Sequence, residues 1–411
     1  MILFRGFGLS TFLKQTQALR ILLSSMLAMA SLGVIYVWSV FVLPMEQEFG
    51  WNRNEISLVF TLSMLFVSVG VLSGGFLNRR MRVKRVALLA AAVILFSLVA
   101  ASYSQSLISM LVFYGFLASL FFGIIYNTAV YICNLWFDKA SASVSGLLQT
   151  CLGLNTIFLS IVAAELLKIY DWRLVFRLMG VMLLVSLLTF FYFVKEPSAD
   201  SSSNDEVKPQ AYGVNWRMML ASREFWLLWL LRLIVIAGSL GVIGHAVPMT
   251  LDLGVSYDNA VLALGLLSLT NALSRVVCGL GWDYLGFRKT MLISVTAFIS
   301  SFLLLAFTYN FPSTVLTIIA CCLNGFAYGS IVLVGASFTR EFFGMKYFSE
   351  NYGITSTPAV PAAFVGPYLM SVIKVGTQSY YYSFFILTGL GLIGLVCVLL
   401  IRAPSRVIHS Q

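Results

Sequence analysis

The chain has 411 residues, 60% of them hydrophobic and only 10% charged, with a mean hydropathy of +0.93. Soluble proteins carry about 25% charged residues, so too few polar side chains are present to coat a water-soluble globule, and lipid must solvate much of the surface. The formal net charge of +10 would suggest nucleic acid in a soluble protein, but in a membrane protein it reads as Lys and Arg gathered in cytoplasmic loops, and no nucleic-acid partner is expected.

A bilayer core needs roughly 20 apolar residues per helix. Residues 1–20 form an N-terminal tail with Arg5, Lys14 and Arg20. The apolar run that follows, 21–43, is too long for a signal-peptide core and reads as the first span. Further runs at 56–77, 85–104, 107–131, 144–167 and 172–194 complete an N-terminal bundle over 21–195. Residues 196–221 form a linker whose stretch 198–208 is polar, unpatterned and expected to be flexible. Six more runs, 224–249, 258–282, 289–308, 313–338, 350–373 and 379–401, make a C-terminal bundle over 222–402, followed by a tail over 403–411. The expected fold is an all-α membrane protein of twelve transmembrane helices in two pseudo-symmetric six-helix bundles.

With both termini cytoplasmic, 19 of the 26 Lys and Arg fall on the cytoplasmic side and four (Arg53, Lys168, Arg173, Lys374) outside, while Arg177, Arg232 and Arg275 lie within spans. That bias obeys the positive-inside rule. The two halves also repeat. Gly74, Asn78, Met81 and Lys84 recur 205 positions later as Gly279, Asp283, Gly286 and Lys289, and Trp136-Phe137 recurs 206 later as Phe342-Phe343. Parallel repeats suit a carrier whose halves rock about a midplane site. The six cysteines sit in apolar stretches without metal-site spacing and read as small buried hydrophobes. No nucleotide-binding, metalloprotease or serine-hydrolase motif occurs, and His245 and His409 are the two histidines; no enzyme, metal or cofactor is expected.

The repeated loops resemble the signature loop of the major facilitator superfamily, a glycine followed by an acid, a turn glycine and basic residues. Residues 279–289 fit it, with Asp283 and Arg288; the first copy departs, with Asn78 in place of the acid and Met81 in place of the turn glycine, followed by Arg79. The resemblance implies that Asn78, Arg79, Asp283 and Arg288 belong to cytoplasmic gating loops. The stretch Gly33 to Phe41, with Pro44 and Glu48-Phe49-Gly50-Trp51, together with Trp136-Phe137-Asp138-Lys139, Asn351-Tyr352-Gly353 and Arg275 eight residues before Asp283, is similar to the oxalate/formate antiporter family, a relative of the monocarboxylate transporters.

Arg275 is the sharpest feature. Holding Arg at membrane depth costs about 2.5–3.5 kcal/mol by insertion scales, so it is expected to face a watery interior. Ser268, Asn271, Arg275 and Gly279 share one helix face, and a guanidinium grips a carboxylate through two parallel bonds. Arg232 and Arg177, nearer their span ends, are expected to snorkel to the headgroups. Tyr36, Tyr126 and Tyr328 lie on spans whose aromatics line the cavity in the resembled family; Asn324 shares a face with Tyr328, and Gln149 with Gly153, Thr156 and Ser160. These are the expected substrate-binding residues. The resembled oxalate carrier has a lysine eight residues after the position of Asn351; here Ala359 stands there, between Pro358 and Pro361. With one deep cation, a monocarboxylate fits better than a dianion, and the prolines are expected to break the eleventh span locally. No Asp or Glu lies near a span centre, which leaves His245 as the candidate for proton coupling.

These features favour a secondary carrier of a small organic anion in a bacterial inner membrane, symporter or antiporter, working as a monomer against a proton or counter-anion among membrane lipids. The competing readings are an exporter of hydrophobic or cationic compounds by proton exchange, which a deep carboxylate would favour, and a transporter-like sensor.

Overall fold

Twelve helices among the described residues are long and apolar enough to cross a membrane. The computed structural model describes residues 9–51, 53–137, 140–197 and 213–402. In chain order the spans are α1 (Thr16–Val37), α2 (Leu58–Arg80), α3 (Val83–Ser102), α4 (Leu107–Trp136), α5 (Ser141–Leu167) and α6 (Trp172–Phe193). After them come α7 (Arg223–Asp252), α8 (Tyr257–Leu285), α9 (Phe287–Asn310), α10 (Thr314–Phe343), α11 (Phe348–Thr377) and α12 (Tyr381–Leu400). Residues 9–20, expected to be tail, are helical, because helix Leu9–Ser31 runs without a break into the first span. The flexible stretch 198–208, the tail over 403–411 with His409, and the Asp138-Lys139 pair lie outside the described residues, as do residues 1–8.

Helix ends follow local chemistry. The Ser222 hydroxyl accepts from the Phe225 N–H at 3.3 Å and opens α7, and Ser313 does the same for α10 through Leu316 at 3.4 Å. Such caps satisfy donors that have no partner inside the helix. The turn glycine of the second signature loop, Gly286, stands at φ 80°, a conformation that costs glycine little. The first loop turns without it: Met81 has no positive φ, and Arg82 enters α3 from an extended conformation.

The chain divides into two compact units, Met1–Lys139 with Cys151–Val207, and Ala140–Thr150 with Lys208–Gln411. Helix α5 is therefore shared, its first turns packing within the second unit. Inside each unit, glycines bring helix backbones into contact. A Cβ on Gly123 of α4 would lie 2.0 Å from the Val67 oxygen of α2, and one on Gly329 of α10 would lie 2.1 Å from the Asn271 oxygen of α8. These two glycines are separated by the 206-residue repeat, so the duplication extends to packing. Small residues at helix contacts are how membrane helices gain close van der Waals packing.

Two spans of the first unit depart from α geometry. The chain tightens into a 3-10 turn over Leu32–Val37, and α4 widens into a π-helix over Leu111–Ala118. Side chains take up nearby carbonyls: Asn155 donates to Ala30 O at 2.9 Å, Thr156 to Gly33 O at 3.4 Å and Tyr114 to Ile35 O at 3.4 Å. Irregular backbone at membrane depth requires such partners. Tyr114, on the π segment, stacks on Trp38 at 4.7 Å between ring centroids.

In the second unit α11 breaks at 356–358, as Pro358 and Pro361 led us to expect. The Ala359 N–H turns to Ser356 O at 3.3 Å instead of reaching Thr355 O, which leaves the Thr355 carbonyl without its helical donor.

Candidate functional site

Arg275 sits ten residues from the C-terminal end of α8, about 15 Å along the axis at 1.5 Å per residue. Its guanidinium is half-buried. Nη1 donates to the main-chain oxygen of Gln149 at 2.7 Å and Nη2 to Asn271 Oδ1 at 3.4 Å. The first bond is short and well formed; the second is long enough to be weak. Both acceptors are neutral, and Nε is buried without a hydrogen-bond partner among the described residues. Gln149 is 1% exposed, and among the described residues neither Nε2 nor Oε1 of its amide is hydrogen-bonded. A buried amide left unpaired costs about 1–3 kcal/mol, so this corner of the second unit holds polar groups that the protein does not satisfy.

Three of the predicted residues, Arg275, Asn271 and Gln149, therefore come together. Asn324 does not join them directly: it is fully buried and its amide donates to Ser301 Oγ of α9 at 3.3 Å. Tyr328, one turn on, is partly buried against the apolar core of the second unit. Tyr36, on the 3-10 turn, is 47% exposed, and Tyr126 of α4 is half-buried; both belong to the first unit. Sequence reasoning missed Thr150, whose hydroxyl donates to Ala272 O at 3.0 Å one helix position from Gln149. A lone threonine in an apolar run gives no signal for such a contact.

Arg232 corrects an expectation. It does not snorkel: it is 3% exposed, lies against Gly335 of α10, and donates from Nη1 to the Thr355 oxygen freed by the break in α11. In sequence it stands near the start of a span, but α10 and α11 close over it. Arg177, partly buried, donates to Ser102 Oγ at the end of α3 at 2.9 Å, with its guanidinium 4.3 Å from the centre of the exposed Tyr103 ring.

His245 joins three helices of the second unit. Nδ1 lies 3.0 Å from the Tyr380 hydroxyl and Nε2 lies 3.2 Å from Pro367 O. A carbonyl only accepts, so Nε2 carries a proton, and in the neutral ring the Tyr380 hydroxyl donates to Nδ1. Next to it Lys374 pairs with Asp252 and lies 5.2 Å from the Tyr380 ring centre.

The signature loops are built differently in the two halves. Asp283 accepts from the Ser143 N–H at 2.9 Å and from its hydroxyl, placing a carboxylate at the N-terminal turn of α5, where the helix dipole favours negative charge. Arg288 donates to Leu399 O at the end of α12 at 3.0 Å. Asn78 is buried: its amide donates to Asn127 Oδ1 at 3.2 Å and its oxygen accepts from Thr128 at 3.0 Å. An ionised acid at this position could not donate to Asn127. Arg79 beside it is exposed. Two of the quoted motif residues flank the linker. Trp136 donates to Lys195 O at 2.7 Å in the first unit, and Asn351 to Val214 O at 2.8 Å in the second.

Among the described residues no group of three or more His, Cys, Asp or Glu side chains is placed to hold a metal ion. Residues 21–281 and 233–410 match the family model described as Major Facilitator Superfamily. The chain is 23% identical to the oxalate:formate antiporter of Oxalobacter formigenes over 87% of this chain and 85% of that protein. It is 24% identical to monocarboxylate transporter 12-B of Danio rerio over 90% of this chain and 84% of that protein. Its fold is similar to that of the proton:xylose symporter XylE, with a TM-score of 0.70 at 14% identity over 95% and 97% of the two chains. The transporter FucP in the outward conformation is similar too, with a TM-score of 0.68 at 12% identity over 93% and 98%.

Proposed function

Because the chain belongs to the major facilitator superfamily and is a multi-pass membrane transporter, we propose that its cargo is a small organic anion, a monocarboxylate, gripped by Arg275. One observation carries this reading. Among the described residues, Arg275 is held deep in α8 by neutral oxygens, beside a buried amide that has no hydrogen-bond partner. A fixed positive charge without an acid, at membrane depth, has a use if an anion arrives to meet it. Two relatives, each under 25% identical, are named for carboxylates, an oxalate:formate antiporter and a monocarboxylate transporter, and they support the same class. Arg232, shut from solvent and committed to the Thr355 carbonyl, offers no second grip, which favours one carboxylate over two.

The carrier works by alternating access between its two six-helix halves, in the bacterial inner membrane, as a monomer with both termini cytoplasmic. A counter-anion or a proton moves with the substrate. Reconstituted in proteoliposomes, Arg275→Ala and Arg275→Lys lose uptake and counterflow of labelled monocarboxylates while remaining folded. Near-normal transport by folded Arg275→Ala removes the proposal.

A further inference from the structure

The guanidinium that a carboxylate must reach is already occupied by the protein itself, through the 2.7 Å bond from Nη1 to Gln149 O. Other contacts in the second unit hold that oxygen in place. Asp283 accepts from the Ser143 N–H at 2.9 Å, and Thr150 donates to Ala272 O at 3.0 Å. Between them the two backbones touch: a Cβ on Gly146 would lie 2.2 Å from Arg275 O, and one on Gly279 2.8 Å from Ala142 O. The start of α5 is thus stapled antiparallel to α8. From Cys151 onward the same helix belongs to the first unit.

Resting on the carboxylate reading of Arg275, we propose that the Gln149 carbonyl is an internal competitor of the substrate, and that Thr150 is the positioning residue that keeps it seated. A carboxylate forms charge-assisted, two-point bonds with a guanidinium that a neutral carbonyl cannot match, so an arriving anion takes Nη1 from Gln149. The buried Arg275 Nε and the Gln149 amide, both without hydrogen-bond partners among the described residues, are the donors that gain from it. The start of α5 then loses a hold on α8 as the anion settles. A ligand that binds only the released form is weakened by whatever stabilises the held form. Staple and substrate therefore oppose each other, and loosening the staple tightens binding.

The test measures equilibrium binding of radiolabelled formate, acetate and lactate to the full-length purified protein, comparing wild type with Thr150→Val, Thr150→Ser and Arg275→Lys. Valine keeps the shape of threonine and loses the hydroxyl; serine keeps the hydroxyl. Thr150→Val is expected to bind about three- to tenfold more tightly, the worth of one hydrogen bond, and Thr150→Ser like wild type. A threonine with a merely structural role would give weaker or unchanged binding on replacement by valine, and that result overturns the competitor. Hydrogen exchange of residues 141–150 in wild type gives a second reading that needs no variant. Saturating acid is expected to speed it, and unchanged exchange overturns the proposal. If Arg275→Lys binds the acids as wild type does, the carboxylate reading falls and the competitor with it. If Arg275→Lys loses binding and Thr150→Val gains none, the competitor alone is removed.

Discussion

The side chain of Arg232 on α7 donates to the main-chain oxygen of Thr355, where α11 breaks and that oxygen has lost its helical donor. Gly335 of α10 makes room for it: a Cβ there would lie 2.6 Å from Nη1. Gly335→Ala should therefore push the guanidinium off the carbonyl, and Arg232→Met should remove it. Each is expected to destabilise the protein by about 1–3 kcal/mol, the cost of leaving a buried polar group unmet. Together they should cost less than their sum, since both break one contact. Thermal unfolding in detergent measures all three; additive losses would separate the two residues.

Asn78 carries a second prediction. It both donates, to Asn127, and accepts, from Thr128. Asn78→Asp restores the acid of the signature loop but deletes the donor and buries a charge at a site only 7% exposed. A loss of about 1–3 kcal/mol follows from the broken amide pair, read as a lower unfolding temperature. Asn127→Asp in the same background puts like charges together and should not rescue it. A stable Asn78→Asp protein would show that the network is dispensable.

What could be read in the sequence, and what could not, divides along physical lines. The twelve spans were legible because a bilayer of fixed thickness imposes their length. The break in α11 was legible because Pro358 and Pro361 cannot take part in ordinary helical bonding. Arg275 stood out because burial makes a charge costly. Arg232 was misread by the same logic: distance from a span end reports depth, and whether neighbouring helices cover the side chain depends on Gly335 and on α11, more than a hundred residues away in sequence. Thr150 and Ser143 left no mark, because their partners Ala272 and Asp283 are 122 and 140 positions distant and small polar residues are common in such helices. The pairing of Asn78 with Asn127 likewise needed the packing of α2 against α4, which Gly123 permits.

Glu48, near the end of the helix Trp38–Phe49 that continues from α1, ties that segment to α6. Both its oxygens lie near Arg173, and one also accepts from Trp172. Its carboxyl is held below the ordinary value of 4.5, chiefly by the Arg173 hydrogen bond, against burial and with help from Trp172 and the Arg173 charge. A lowered pKa stabilises the folded form above the ordinary value, and the contribution is lost as pH falls through the lowered one. Wild type should thus lose stability on acidification below about pH 4 more steeply than Glu48→Gln, which lacks this group. Unfolding temperatures measured from pH 7 downward provide the comparison, and parallel curves would count against the tie.

His245 gives the last test, on coupling. Both ring nitrogens are engaged, Nε2 with Pro367 O and Nδ1 with the Tyr380 hydroxyl. Protonating the ring requires Tyr380 to reverse from donor to acceptor, beside Lys374, which is itself paired with Asp252. The two bonds tie α7 to α11 and to the residue that opens α12. His245 is thus expected to act as a brace between α7, α11 and the start of α12. His245→Asn, which can keep one of the two bonds, should lower stability by about 1 kcal/mol and leave the pH profile of uptake where it was. Uptake measured in proteoliposomes between pH 5.5 and 8, a range that brackets the ordinary imidazole value of about 6.5, decides it. A profile that flattens in the variant would assign the coupled proton to this imidazole instead.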